Sequence, residues 1–348
     1  MSEIRGTASG AIEVSVVCPF FNEAAILDDA LRSLLDRLRG LGASWELIVV
    51  DDGSTDGSRE LALAAAREEP RLRVLGYPRN RGRGRALRTG IAAARGEIVV
   101  TTEIDLSWGE TIVADLVAAM RAEGDADIVV ASPHLRGGGY RNVPAKRVWI
   151  SRVGNRIVRL CMANAATMNT GMTRAYRREV IQTLPLVEDG KELHLEIVLK
   201  ATALGYRILE IPAVLEWKQH RRAGRPVARR SSSNINRLIV SHSLFSILAN
   251  PVRYVWLLSV AFVLLGALFV GGAAVLYLRD RVAAYTALFG LSLAIVGMLL
   301  FVLGVVLKQG NLILRELWFL RHESLRRPAP PGAAATPASA VQDEPPTR

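Results

Sequence analysis

Two apolar runs constrain this chain more than any other feature. Residues 255–278 carry no charge before Arg279 and Asp280, and residues 283–307 carry none before Lys308. Each run reaches the roughly 20 residues a helix needs to cross a bilayer. That length predicts a C-terminal two-helix transmembrane hairpin and disfavours a pair of buried core helices. The loop between the runs is too short to hold a domain, so both large ends share one side. Arg229, Arg230, Arg237 and Arg253 precede the first run; Lys308, Arg315, Arg321, Arg326 and Arg327 follow the second. By the bias of basic residues, that side is the cytoplasm. The expected place is therefore the cell (inner or plasma) membrane, multi-pass, with the large N-terminal part cytoplasmic. No apolar stretch follows Glu3 and Arg5, so no signal peptide is expected. Cys18 and Cys161 sit in apolar patterns and suggest no disulfide or metal framework.

The net charge of +11 is uneven. From Ile128 to Arg178 there are ten Lys or Arg residues and no acid, and from Trp217 to Arg279 there is again no acid. Nucleic acid, anionic lipid and phosphorylated substrates all suit such stretches. Two spans directly downstream favour the last two, so nucleic acid is not expected as a partner.

Ahead of the spans, short apolar runs alternate with helical patterns. Strands are expected at residues 14–18, 45–50, 72–75, 98–100 and 128–130. Pro19 should end the first, and Asn22 is placed to cap a helix running to Arg39. Strands alternating with 10–15-residue helices predict a doubly wound, mostly parallel α/β sheet. Its strand ends would bring residues 19–23, 51–54 and 103–105 to one edge. Residues 146–160 read as a basic amphipathic helix, suited to a membrane surface, to anions, or simply to packing with a solvated face. The expected organisation is a tail (1–12), an α/β domain (13–230), a juxtamembrane amphipathic helix (231–252) and two transmembrane helices (253–308). An interfacial helix (309–327) and a Pro/Ala-rich disordered tail (328–348) follow.

Glu103 and Asp105 stand two apart after the fourth strand, so an extended backbone puts both on one face. Open α/β sheets bind ligands at the carboxyl ends of their strands. Two carboxylates there suit a hard divalent cation that completes its shell with water and phosphate oxygens.

Five motifs then carry a family resemblance: PFFNE (19–23), VVDDGSTDGS (49–58), NRGRGRALRTG (80–90), EID (103–105) and NTGM (169–172). In order and spacing, residues 13–218 resemble the family-2 glycosyltransferases. Within them, the chain is most similar to the polyprenyl-phosphate sugar synthases of the dolichyl-phosphate mannose and undecaprenyl-phosphate glucose type. The resemblance implies a GT-A fold, a nucleotide-diphosphate-sugar donor, a polyprenyl phosphate lipid acceptor and Mg2+ or Mn2+. It implies nucleotide-sugar contacts from Pro19, Asn22, Glu23, Asp51, Asp52, Arg83 and Glu103, with the metal at Asp105 and Glu103. Arg83 belongs to a cationic cluster at a helix N-terminus, a natural diphosphate site.

The chain departs from the family pattern in three places. Glu103 replaces the usual Asp, Ser107 stands where a Gln or other polar ligand is common, and residues 163–174 lack the acid many relatives carry. A lipid phosphate is already anionic and needs no base, whereas a hydroxyl acceptor would. Arginines of the acid-free stretch can orient that phosphate through their planar forks. Arg136, Arg141, Arg152 and Arg174 are the candidates, alongside Asp105, for catalytic residues. If a base is required, Glu188, Asp189 and Glu192 are the nearest acids after NTGM.

The expected reaction is inverting, metal-dependent hexose transfer to polyprenyl phosphate at the cytoplasmic membrane face. Two alternatives stay open: transfer to a glycolipid or polysaccharide hydroxyl, and nucleotide-sugar binding without turnover. The Q-x-x-R-W signature of processive synthases does not occur. Gly271 and Gly272 permit close helix association, which leaves a homo-oligomer open.

Overall fold

A computed structural model describes residues 11–162, 166–217, 221–222, 225–226, 252–279 and 283–326. The expected tail at 328–348, all but the last residue of the juxtamembrane helix at 231–252, and most of the N-terminal tail lie outside these residues.

Strands β1 (Val14–Phe20) and β2 (Trp45–Asp51) are buried at every position, as apolar parallel strands covered on both faces must be. They join β3 (Leu72–Gly76), β4 (Ile98–Thr101) and β5 (Ile128–Ser132) at the expected places. Outside this sheet, β6 (Gly139–Arg141) begins a short ribbon. Two strands that periodicity did not reveal, β7 (Arg174–Arg177) and β8 (Ile208–Pro212), complete a seven-stranded sheet of order β3-β2-β1-β4-β7-β5-β8. All its pairings are parallel except those of β7, which runs antiparallel between β4 and β5. β9 (Val214–Glu216) pairs with β6.

Helix α1 (Leu27–Arg39) buries Leu27, Ala30, Leu31, Leu34, Leu35 and Leu38, a face at helical spacing. It is followed by α2 (Ser58–Glu68), α3 (Arg83–Ala93), α4 (Ile112–Ala122), α5 (Ala145–Met162), α6 (Arg178–Thr183) and α7 (Leu193–Ala203). Two expectations about the first loop fail. Pro19 does not end β1, because β4 pairs only as far as Val17, and the missing N–H falls where β1 has one neighbour. Asn22 does not cap α1, which starts after Ile26 with no side-chain cap.

Helices α8 (Val252–Tyr277) and α9 (Ala284–Arg326) pack together and are long and apolar enough to cross a membrane. Ser259 donates its hydroxyl to the Gly297 carbonyl at 2.7 Å, and the Trp256 ring stacks on Phe301. Their outer faces expose Leu257, Leu264, Leu268, Leu299 and Phe301, a large apolar surface suited to lipid. The expected separate interfacial helix is corrected: residues 309–326 continue α9 without a break. Its 43 residues span about 64 Å, roughly twice a bilayer core, so a helix of this length in a bilayer projects beyond it.

Candidate functional site

The sheet order reverses at β1, which has β2 on one side and β4 on the other. That switch point is where open α/β sheets bind ligands, at the carboxyl ends of their strands. Glu23 lies in the loop after β1, and Glu103 and Asp105 lie in the loop after β4. The Cys18 thiol, buried near the end of β1, is pushed well up by burial and then by the negative charges of Asp105, Glu103 and Glu23.

The loop after β1 is clasped to the loop after β2. Asn22, in the left-handed region at φ 53°, accepts from the Thr55 amide at 2.8 Å, and its own amide donates to Ser54 at 3.0 Å. The Glu23 amide donates to the Ser58 hydroxyl at 2.9 Å, and the Ala24 amide to Asp56 at 3.0 Å. Burial pushes the Asp56 carboxyl up, but hydrogen bonds from Ser58 and Ala24 prevail and hold it low. The second half of DDGSTDGS thus works as a lock on PFFNE, a use that turn-forming residue types alone did not disclose.

The adjacent aspartates divide their roles. Asp52 is buried, and its carboxylate accepts from Tyr77 (2.7 Å), Asn80 (3.0 Å) and the amides of Arg81 (2.9 Å) and Gly82 (3.1 Å). Burial and the Asp52 charge push the Tyr77 phenol up, so it stays a donor. Asp52, expected as a nucleoside contact, anchors the turn before α3. Asp51 accepts the Ser54 amide at 2.9 Å through Oδ1. Its buried Oδ2 lies 3.8 Å from Arg59 and has no hydrogen-bond partner among the described residues. A buried acceptor left this way suits a ligand N–H or hydroxyl. Gly53 makes the junction possible: at φ +74°, a Cβ there would come within 2.5 Å of the Arg79 backbone.

Arg83 opens α3 and lies 3.6 Å from Glu103, joining the arginine turn to the acid loop. Lys191 lies alongside: burial and then the Arg83 charge lower its ammonium pKa. Of the candidate acids Glu188, Asp189 and Glu192, Asp189 meets the same turn. The Arg85 amide donates to the Asp189 carbonyl at 3.0 Å, and Arg88 to its carboxylate at 2.7 Å. Gly84 packs so closely on Asp189 and Gly190 that any side chain would collide with their backbone. Burial, then Glu196 and Glu192, raise the Glu188 carboxyl.

In the acid loop, the Ser107 hydroxyl donates to Glu103 at 2.7 Å and its amide to Asp105 at 3.1 Å. Leu106 between them adopts φ 52°, which is unfavourable for a bulky side chain. Among the described residues no group of three or more His, Cys, Asp or Glu is arranged to hold a metal ion, so a cation at this loop would draw on Glu103 and Asp105 and complete its shell with water and phosphate oxygens. Two half-exposed carboxylates fit Mg2+ or Mn2+, which keep waters and take phosphate oxygens. They do not fit zinc, which favours a fuller set of nitrogen and sulfur ligands.

The four arginines separate. Arg174 is fully buried and donates to the carbonyls of Asn169 (2.6 Å) and His194 (3.2 Å). It is corrected from a phosphate contact to a brace for the NTGM loop, which Asn155 also holds through the Asn169 amide at 2.7 Å. Arg136, Arg141 and Arg152 are exposed, and Arg141 lies 3.6 Å from Glu216. Arg152 lies close enough to His134 that, after burial, its charge lowers the imidazole. The Tyr140 hydroxyl bridges His134 (3.3 Å) and Ser151 (3.0 Å), a polar cluster without a periodic signal in the sequence.

Residues 15–184 match the family model Glycosyl transferase family 2. This segment is therefore a glycosyl transferase family 2 domain, built on a GT-A-like sheet. The chain is 30% identical to glycosyltransferase AglD of Haloferax volcanii over 61% of its own length and 34% of the relative's. It is 36% identical to an undecaprenyl-phosphate 4-deoxy-4-formamido-L-arabinose transferase of Pseudomonas paraeruginosa over 49% of each chain. It is 26% identical to a dolichol-phosphate mannosyltransferase of Pyrococcus furiosus, over 58% of this chain and 56% of that one. The chain thus matches about a third to just over half the length of these relatives. Among solved structures, glucosyl-3-phosphoglycerate synthase of Mycobacterium tuberculosis with UDP aligns at TM-score 0.50 and 23% identity, over 68% of this chain and 80% of that one. Its complex with Mn2+, UDP and phosphoglyceric acid aligns at 0.51 and 21%, over 68% and 77%. At that identity the likeness is one of fold.

Proposed function

We propose that the chain transfers a hexose from a nucleotide-diphosphate sugar to polyprenyl phosphate, with inversion, at the cytoplasmic membrane face. The observation that carries this reading is the acid loop after β4, beside the β1–β4 switch point, where Ser107 holds Glu103 and Asp105 and Arg83 lies 3.6 Å from Glu103, in a chain with two apolar helices downstream. Relatives named as undecaprenyl- and dolichol-phosphate transferases support the acceptor, and a GT-A neighbour crystallised with Mn2+ and UDP supports donor and metal.

Asp51 and the clasped 19–23 loop receive the nucleoside, while Arg83 and the α3 N-terminus hold the diphosphate. Asp105, with Glu103, would hold Mg2+ or Mn2+, which supplies charge neutralisation on the leaving diphosphate. The lipid phosphate oxygen attacks the anomeric carbon as the bond to the diphosphate oxygen breaks. The electron pair leaves with the nucleoside diphosphate, and no proton needs removal. Arg136, Arg141 and Arg152 are left to orient the acceptor phosphate. Both helices cross the membrane with their charged ends on the domain's side.

A second reading rests on Glu188, which sits between Val187 and Asp189, both bonded by Arg88 of the arginine turn, and whose carboxyl is raised by burial; it would suit a general base for a hydroxyl acceptor. One assay separates the two. Full-length protein in lipid vesicles is offered UDP-glucose, GDP-mannose and related donors with Mn2+ or Mg2+. Polyprenyl phosphate and a hydroxyl glycolipid compete as acceptors. Label is expected in the polyprenyl phosphate; label confined to the hydroxyl lipid overturns the first reading.

A further inference from the structure

Glu196 and Lys200 lie one turn apart on α7, nearly fully buried, and pair at 2.6 Å. A buried ion pair persists only where further hydrogen bonds satisfy both groups. Here those bonds go to one segment. Glu196 accepts from the amides of Val187 (3.0 Å) and Glu188 (2.9 Å), and Lys200 donates to the Pro185 carbonyl at 2.5 Å. The next residue, Asp189, receives the Arg85 amide and the Arg88 guanidinium, and Gly84 packs against it. Residues 185–190 are thus the floor of the arginine turn.

The other side of the ion pair meets α9. The Lys200 ammonium lies over the Trp318 ring, 5.2 Å from its centroid. One helical turn on, buried His322 bonds the Tyr206 hydroxyl through Nε2, at the end of the loop that follows α7. Trp318 and His322 share one helix face by their i, i+4 spacing.

We infer that Trp318 and His322 are positioning residues for the donor site. The projecting end of the second apolar helix covers Lys200, Lys200 and Glu196 fix residues 185–188, and that segment fixes the arginine turn. The donor site is shaped fully only when α9 is seated on the domain. This rests on the reading of the arginine turn as a diphosphate site.

The test uses the full chain in phospholipid nanodiscs, wild type against W318A/H322A, with W318F as the conservative control. Hydrogen exchange is followed in peptides covering 185–190, 82–88 and, as a folding control, 14–20. UDP and GDP binding with Mn2+ is measured by calorimetry. In the double variant, exchange at 185–190 should rise about tenfold, with a smaller rise at 82–88 and none at 14–20. The Kd of the nucleotide that the wild type binds should rise at least about fivefold, and W318F should stay near wild type. Unchanged exchange at 185–190 with unchanged binding overturns the clamp alone, as does faster exchange spread equally to 14–20. A wild type that binds neither nucleotide overturns the donor-site reading, and the clamp with it.

Discussion

Ser107 reaches back to Glu103, hydroxyl to carboxylate at 2.7 Å, across a loop that also holds Asp105. Glu103 is one methylene longer than the residue common at its position, and Ser107 is shorter than the Gln common two residues beyond Asp105. The two departures meet: the longer acid is pinned by the shorter alcohol. Ser107→Ala should free Glu103 and weaken Mn2+ binding in the presence of nucleoside diphosphate about 10-fold or more. Titration followed by electron paramagnetic resonance reads this directly; an unchanged affinity would show that the contact does not orient the acid.

Asp105→Asn removes the carboxylate assigned to the cation while keeping the side chain's size. Turnover should fall about 100-fold or more, and chelation of the wild type should match it. Activity that survives both treatments refutes the metal role.

Asp51 and Asp52 should fail differently. Asp52→Ala strands Tyr77, Asn80 and two backbone amides, and should cost about 3 kcal/mol of stability. Asp51→Asn should leave the thermal midpoint nearly unchanged and raise the donor KM. Thermal scans beside steady-state kinetics separate the pair, and matching effects would refute the division.

Arg174→Met should destabilise the domain by about 2–4 kcal/mol, since it leaves the Asn169 and His194 carbonyls without their donor. Arg152→Ala should leave stability within about 0.5 kcal/mol and raise the acceptor KM. Denaturant unfolding and acceptor titrations provide the comparison.

Glu69 is one source of acid sensitivity. Hydrogen bonds from Arg71 and Arg39 hold its carboxyl at about 2, against 4.5 for the free group. A folded-state value below the unfolded one gives stability that is present above about pH 5. It is lost as pH falls from about 4.5 towards 2. Glu69→Gln should therefore be less stable than wild type at pH 7 and converge with it near pH 2, as followed by urea midpoints across that range.

The sequence displayed the elements whose signal is local. Buried parallel strands such as 14–20 and 45–51 announce themselves as β-branched runs, and strand ends carry the acids. Residues whose role depends on a distant partner were less legible. Arg174 looked like any cation of the basic stretch until β7 was inserted between β4 and β5, which buries it. Asp52 read as half of a matched pair because its donors arrive from residues 77–82, a separate loop. The interfacial helix expected over 309–327 is part of α9, which runs on to place Trp318 and His322 on the domain, because helical periodicity does not show where a helix meets a distant partner.

The most direct test of the central claim is the linkage in the product. Full-length protein, a nucleotide α-hexose donor, polyprenyl phosphate and Mn2+ would be incubated, and the lipid product analysed by phosphorus and proton NMR. A new phosphodiester bearing a β-linked hexose is the predicted result. An unchanged phosphomonoester with the sugar on a hydroxyl, or a phosphodiester with the α configuration retained, would contradict it.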